Sequence, residues 1–252
     1  MPKLPVGFLS SPIAHRGLHD VDNGILENSR AAFLAAIAGG FGIELDLQLS
    51  ADGEAMVFHD YSLSRLTTES GPIQLRAAAE LKQIKLKNGD ETIPDLAEIL
   101  QMVDGRAPLL IELKDQDGAC GPNVGRLEQR VAELLANYSA DAVVMSFNPH
   151  SIYEMAKLAP DLPRGLATCD FSPKFWPMLP QNRIADLAAI PDFDGAECSF
   201  ISHEWHRLED GRVAELKSRG VPVLCWTVTD PDQENKARQV ADNITFEGYI
   251  PG

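Results

Sequence analysis

From Ile43 to Ser50 the chain alternates strictly. Ile43, Leu45, Leu47 and Leu49 are apolar, and Glu44, Asp46, Gln48 and Ser50 between them are polar. A period of two puts the two sets on opposite faces of a β-strand. A second apolar run at 55–58 follows the turn pair Asp52-Gly53 and ends in His59-Asp60, which predicts a β-hairpin. The fold-back brings His59 toward Glu44 and Asp46.

Along the rest of the chain, short buried-type runs trade places with longer amphipathic stretches. Strands are expected at 12–14, 43–49, 109–113, 142–146, 164–168, 195–198, 221–226 and 243–246. Helices are expected from Asn28 or Ser29 as cap to Ala38, stopped by Gly39-Gly40, and at 95–103, 124–138, 150–158, 182–189, 209–218 and 230–240. A Pro-rich loop occupies 171–180. The stretch 61–94, punctuated by Gly71-Pro72 and Asn88-Gly89-Asp90, is irregular and reads as an excursion from the main fold. Eight strands alternating with helices argue for an α/β protein of (β/α)8 TIM-barrel type over an open doubly wound sheet. The chain stops soon after the last strand. Either the eighth helix is missing or the N-terminal segment covers its place.

Composition narrows this reading. A length of 252 residues suits one barrel domain, 1–252. The net charge of -15 opposes binding of nucleic acid or an anionic membrane by bulk charge, but leaves room for an anionic small molecule held through a cation. No apolar run is long enough to span a membrane, and the first residues lack the pattern of a signal peptide. Cys120, Cys169, Cys198 and Cys225 lack C-x-x-C spacing and read as buried thiols of a cytoplasmic protein.

Functional residues of such a barrel gather where strands end. His15 and Arg16 end the first strand, Glu44 and Asp46 lie late in the second, Glu112 and Lys114 end the third, and Trp226 ends the seventh. Three carboxylates suit one hard divalent cation, Mg²⁺ or Ca²⁺. Arg16 and Lys114 suit a phosphate. His15 and His59 then divide the proton transfers, one acting on the attacking hydroxyl and one on the leaving oxygen. Each residue has a plainer reading. Glu44 and Asp46 fit a solvated strand face, Lys114 a partner for Glu112, and Trp226 a core position. Their convergence favours a site. His19, His150, His203 and His206 have no such partners and are placed in loops, and Glu197 closes the sixth strand, a place from which it could reach the site, with nothing to pair with it.

In order along the chain stand His15-Arg16-Gly17, Glu27-Asn28-Ser29, Glu44-Leu45-Asp46, His59-Asp60 and Glu112-Leu113-Lys114. Around them lie L-S-R-L-T at 63–67, I-P-D-L-A-E-I-L at 93–100, S-F-N-P at 146–149 and W-T-V at 226–228. This ordered set resembles the glycerophosphodiester phosphodiesterase family, within the phospholipase C-like phosphodiesterase barrels, over nearly the whole chain. The resemblance implies divalent-metal hydrolysis of small phosphodiesters such as glycerophosphocholine, giving sn-glycerol 3-phosphate and an alcohol. It implies Glu44, Asp46 and Glu112 as metal ligands, His15 and His59 as the acid–base pair, and Arg16 and Lys114 on the phosphate. Residues 61–95 would be the family's insertion over the barrel mouth. The same residues also suit a lysophospholipase D, a lyase that stops at a cyclic phosphate, or a non-catalytic phosphodiester-binding barrel. The chain departs from the family at its last strand, where Phe246 stands in place of an aspartate.

Overall fold

The computed structural model describes residues 2–87, 89–174 and 176–252. Asn88 of the Asn88-Gly89-Asp90 turn and Phe175 of the Pro-rich loop lie outside the described residues. Strand β1 (Ile13–Ala14) pairs in parallel with β2 (Gly42–Leu49) on one side and β9 (Asn243–Phe246) on the other. Between them run β4 (Leu109–Leu113), β5 (Ala142–Ser146), β6 (Arg164–Thr168), β7 (Phe200–Glu204) and β8 (Val223–Val228), each parallel to its neighbours. Eight parallel strands therefore close into a TIM barrel. The short β3 (Ala55–Val57) folds back antiparallel on β2, pairing Leu47 with Val57 and Leu49 with Ala55. That is the expected hairpin.

All eight residues of β2 are buried. Its apolar set packs outward against the helices, in one cluster with Ile111, Val144 and Ile201. Its polar set faces the barrel interior. The lower interior is filled by Phe8, Ile13, Leu110, Val143, Phe200 and Leu224. Gly165 makes room for Phe200, since a Cβ there would lie 2.6 Å from its ring. A two-residue alternation usually means one wet face. Here the polar face lines a narrow lumen, which concentrates carboxylates instead of hydrating them.

The helices are α1 (Gly7–Ser10), α2 (Arg30–Gly39), α3 (Ala78–Leu81), α4 (Leu96–Val103), α5 (Arg126–Leu135), α6 (Pro149–Leu158), α7 (Gln181–Ala188), α8 (Gly211–Ser218) and α9 (Pro231–Ala237). Ser29 Oγ accepts from the Ala32 N–H to cap α2, and Gly40, at φ 74°, ends it in the left-handed conformation. Asp95 caps α4, Asn148 caps α6, with Pro149 at its first turn, and Asp230 caps α9.

Three expectations are corrected. The sixth barrel position in order along the chain departs first: residues 195–198, expected as a strand, form a turn, and the strand is Phe200–Glu204. The run Ser202-His203-Glu204 reads as polar and loop-like, yet Ser202 and His203 are buried in the barrel wall. Second, Glu197 does not approach the strand ends of the site. It precedes β7 on the opposite rim, where its carboxylate accepts from Arg164 Nη2 at 2.8 Å. Arg164 is fully buried and also donates to the carbonyls of Ala196, Pro160 and Leu162. Third, His150 lies in the first turn of α6 and not in a loop, nor is His203 a loop residue. Its Nδ1 lies 2.7 Å from Thr168 Oγ1, its register partner on β6.

Burial holds His203 at a pKa of about 4, against an ordinary 6.5. Its folded value is the lower one, so this stability is complete above pH 6.5 and is lost as pH falls toward 4. The span corresponds to about 3 kcal/mol. We expect the stability difference between the wild type and His203→Gln, measured by urea unfolding, to shrink by that amount from pH 7.5 to 4. A difference that stays flat would rule this out.

No helix follows β9 among the described residues. The N-terminal segment lies under the barrel floor, with Leu4 and Phe8 in the lower core and Asn243 Nδ2 donating to the carbonyls of Phe8 and Ser11. Residues 61–95 gather around a small core of their own that includes Phe58, Leu63, Leu66, Ile73 and Leu81.

Candidate active site

At the C-terminal ends of the strands a cavity of about 120 Å³ is lined by His15, Arg16, Glu44, His59, Glu112, Lys114 and Trp226, with Met145, Phe147 and Thr245 among the other walls. Asp46 sits just behind, almost fully buried. The eight residues singled out from the sequence thus meet in one place.

The turn after β1 explains how. Arg16 (φ 55°) and Gly17 (φ 79°) both adopt the left-handed region. A Cβ at Gly17 would come within 2.8 Å of Ala32 and Phe33, so only glycine fits. This turn aims the Arg16 N–H at Glu44 Oε2, 2.8 Å away, and brings the guanidinium Nε to 3.3 Å from Asp46 Oδ2. Lys114 Nζ lies 2.7 Å from Glu112 Oε1 and 3.4 Å from Asp46 Oδ1. Register does the rest, because Asp46 pairs with Glu112 across β2 and β4.

Glu44, Asp46 and Glu112 each place a carboxylate oxygen within 4.8 Å of the others. Burial pushes Glu44 well above the usual carboxylate range, and the charges of Asp46 and Glu112 push it further. Burial acts on Asp46 in the same sense, but the charges of Lys114, His59 and Arg16 outweigh it and hold it far below that range. Desolvation works against the charge of Lys114, and Glu112 and Asp46 overcome it and hold the ammonium protonated. Three buried hard oxygen donors, with Glu44 still disfavoured as an anion by the other two, fit a divalent cation of the Mg²⁺ or Ca²⁺ kind.

Each histidine has its own carboxylate. His15 Nδ1 lies 2.6 Å from Glu247 Oε2, and His59 Nδ1 lies 2.7 Å from Asp60 Oδ1. His19 Nε2 stands 3.4 Å from the same Glu247 oxygen, so this histidine has a partner at the site rim. Burial lowers the His15 pKa, opposed by its bond to Glu247. Arg65 donates to both oxygens of Asp60, at 2.6 and 2.8 Å, and to both oxygens of Glu27, at 2.7 Å each. Glu27 also accepts from Arg16 Nη1 at 2.7 Å. A chain of alternating charges therefore runs His59–Asp60–Arg65–Glu27–Arg16–Asp46. Asn28 completes the support: its Nδ2 donates to Asp46 Oδ2 at 2.9 Å, and its Oδ1 accepts from the Asp46 N–H at 3.3 Å.

Glu27, Asn28, Asp60 and Arg65 stand inside the ordered motifs, yet no role for them is readable without the pairings. Glu247 carried no signal at all. Where Phe246 replaces the family aspartate, its ring turns outward, 4.9 Å from the Phe41 ring and 5.8 Å from that of Tyr249. The next residue, Glu247, holds its carboxylate 2.6 Å from His15 Nδ1. The departure at the last strand thus leaves an acid beside His15. Trp226 donates from Nε1 to the Ser202 carbonyl at 3.0 Å, and its ring meets Phe147 edge-on at 5.3 Å.

Residues 15–243 match the model of the glycerophosphoryl diester phosphodiesterase family. The Bacillus subtilis protein YhdW is 30% identical over 229 residues, covering 86% of each chain. A glycerophosphodiester phosphodiesterase of Caldanaerobacter subterraneus is 33% identical over 164 residues, covering 61% of this chain and 65% of its own. Among solved structures, an Oleispira antarctica phosphodiesterase in complex with its product sn-glycerol-3-phosphate superposes with a TM-score of 0.77, at 25% identity, over 95% of this chain and 93% of that one. With its motif residues gathered at one barrel rim, the chain belongs to the glycerophosphoryl diester phosphodiesterase family, a family of hydrolases.

Proposed function

We propose that this enzyme hydrolyses glycerophosphodiesters to sn-glycerol 3-phosphate and an alcohol, in a reaction that depends on one divalent cation and on proton transfer by His15 and His59. The observation that carries the reading is the pairing of two histidines, each with Nδ1 held by a carboxylate, in one cavity with three clustered carboxylates and two cations. The product complex of the Oleispira relative supports the same substrate class.

Glu44, Asp46 and Glu112 would hold Mg²⁺ or Ca²⁺, which when bound draws off charge from the phosphate. Arg16 and Lys114 orient the phosphate oxygens and stabilise the charge that grows on them. With Nδ1–H donated to Glu247, the His15 ring presents Nε2 as an acceptor. His15 is the less exposed of the two and its pKa is lowered by burial, so it takes the proton from the attacking hydroxyl, which is water or the glycerol 2-hydroxyl, the latter giving a cyclic phosphate that water then opens. His59, held by Asp60, donates to the leaving alcohol oxygen. Residues 61–95 form the small insertion over the mouth, with Tyr61 reaching the outer part of the site. The four cysteines, all buried and unpaired, suit a cytoplasmic enzyme.

The test is release of sn-glycerol 3-phosphate from a panel of glycerophosphodiesters. We expect activity to vanish in EDTA and to return with Mg²⁺ or Ca²⁺. No product from any diester with metal restored would defeat the proposal. Phosphorus NMR of the products separates hydrolase from lyase, since a persisting cyclic phosphate belongs to the lyase. Glu247→Gln keeps the shape but weakens the hold on His15, and should lower kcat by on the order of 10²-fold with KM little changed. An unchanged kcat would remove Glu247 from the positioning of His15.

A further inference from the structure

Past the phosphate cavity, across the shared wall of Phe147 and Trp226, a second chamber of about 630 Å³ opens toward the surface. Its far side carries Trp176, Asp170 and Glu204, none of which lines the inner cavity. All three stand on the same rim. Asp170 follows β6, Glu204 ends β7, and Trp176 lies in the loop between β6 and α7. The Phe147 ring meets Trp226 at 87° and Trp176 at 56°, with centroids 5.3 and 5.1 Å apart, so the three rings form a corner and not a flat stack. Among the described lining residues Lys114 is the one lysine or arginine, and it already serves Glu112 and Asp46. Burial and the charge of Asp170 push the Glu204 carboxyl up, against the opposing pull of His206, whose Nδ1 lies 3.7 Å from Glu204 Oε1, and of Arg207.

We propose that this chamber is the leaving-group subsite and that it selects a cationic alcohol, best a quaternary ammonium such as choline. The inference rests on the phosphodiesterase reading above. Ring faces attract an alkylammonium, and the two carboxylates complete its charge. The inner cavity is cationic where the phosphate sits and the chamber is acidic beyond it, so the site matches a zwitterionic diester end to end. An acyl chain would press hydrocarbon against the Asp170 and Glu204 carboxylates and strip their water, which is costly. A neutral polyol would meet aromatic walls in place of paired hydrogen-bonding groups.

The test compares kcat/KM for glycerophosphocholine, glycerophosphoglycerol and lysophosphatidylcholine in the metal-loaded wild type, Trp176→Leu and Glu204→Gln. The wild type should prefer glycerophosphocholine to glycerophosphoglycerol by at least about 10-fold. Each substitution should shrink that ratio by about 5- to 30-fold, the equivalent of a cation–π or ion contact of 1–2 kcal/mol. In the metal-free protein, choline should quench tryptophan fluorescence saturably, and less so in Trp176→Leu. Equal use of the neutral diester, or ratios unmoved by both substitutions, overturns the subsite while leaving the hydrolase reading intact. Preference for lysophosphatidylcholine assigns the chamber to an acyl chain and also overturns it. Absence of sn-glycerol 3-phosphate from every diester overturns both.

Discussion

Glu44→Gln is expected to lower kcat/KM by about 10³-fold while leaving the metal-free protein at least as stable as the wild type. The substituted amide would keep the volume and still accept the Arg16 N–H, the hydrogen bond that Glu44 makes at 2.8 Å. What the change removes is one of three charges that would grip the cation. Taking one member from a buried ionic cluster costs about 3–5 kcal/mol, and each 1.36 kcal/mol is tenfold in rate. In the absence of metal the same change relieves repulsion, since Asp46 and Glu112 already disfavour the charge on Glu44. Activity and stability therefore part company, which separates a metal ligand from a structural acid. The check is kcat/KM across a metal titration beside urea unfolding in EDTA. Turnover within tenfold of wild type, or a loss of several kcal/mol in stability, would sink the assignment of Glu44.

His15→Ala comes next in size. Removing a positioned general base should cost on the order of 10²–10⁴ in kcat, with far less effect on KM. The histidine is tied to Glu247 and not to any of the three clustered carboxylates, so metal affinity should hold nearly constant. A metal titration followed by isothermal calorimetry distinguishes this from Glu44→Gln, where affinity falls. His59→Ala should match His15→Ala in kcat. Full turnover in either variant would show that the acid–base pair lies elsewhere.

Much of this was open to a reading of residues alone because it is local. Period-two alternation marks β2, and a turn pair marks the hairpin. Ser29, Asp95 and Asp230 cap helices from within three residues of the bonds they satisfy. The ordered motifs place His15, Arg16, Glu44, Asp46, His59, Glu112, Lys114 and Trp226 at strand ends, and the strands carry them to one rim. The sixth barrel strand misled for a physical reason. Residues 195–198 are small apart from the charged Glu197, whereas the true strand ends in polar residues, and burial in a barrel wall makes polar side chains as internal as valines.

The sequence by itself determined the alternating rhythm, the barrel class and which polar side chains reach the rim as candidates for chemistry, since each depends on neighbours within a few residues. Only the tertiary structure decided which acid serves which histidine, how Arg65 and Glu27 link His59 to Asp46, that Glu197 belongs to the opposite rim, and that Trp176 and Glu204 face one chamber. Those pairings join residues up to 232 positions apart, as His15 and Glu247 do. Closure of the barrel, β9 onto β1, is what brings such distant side chains within bonding distance.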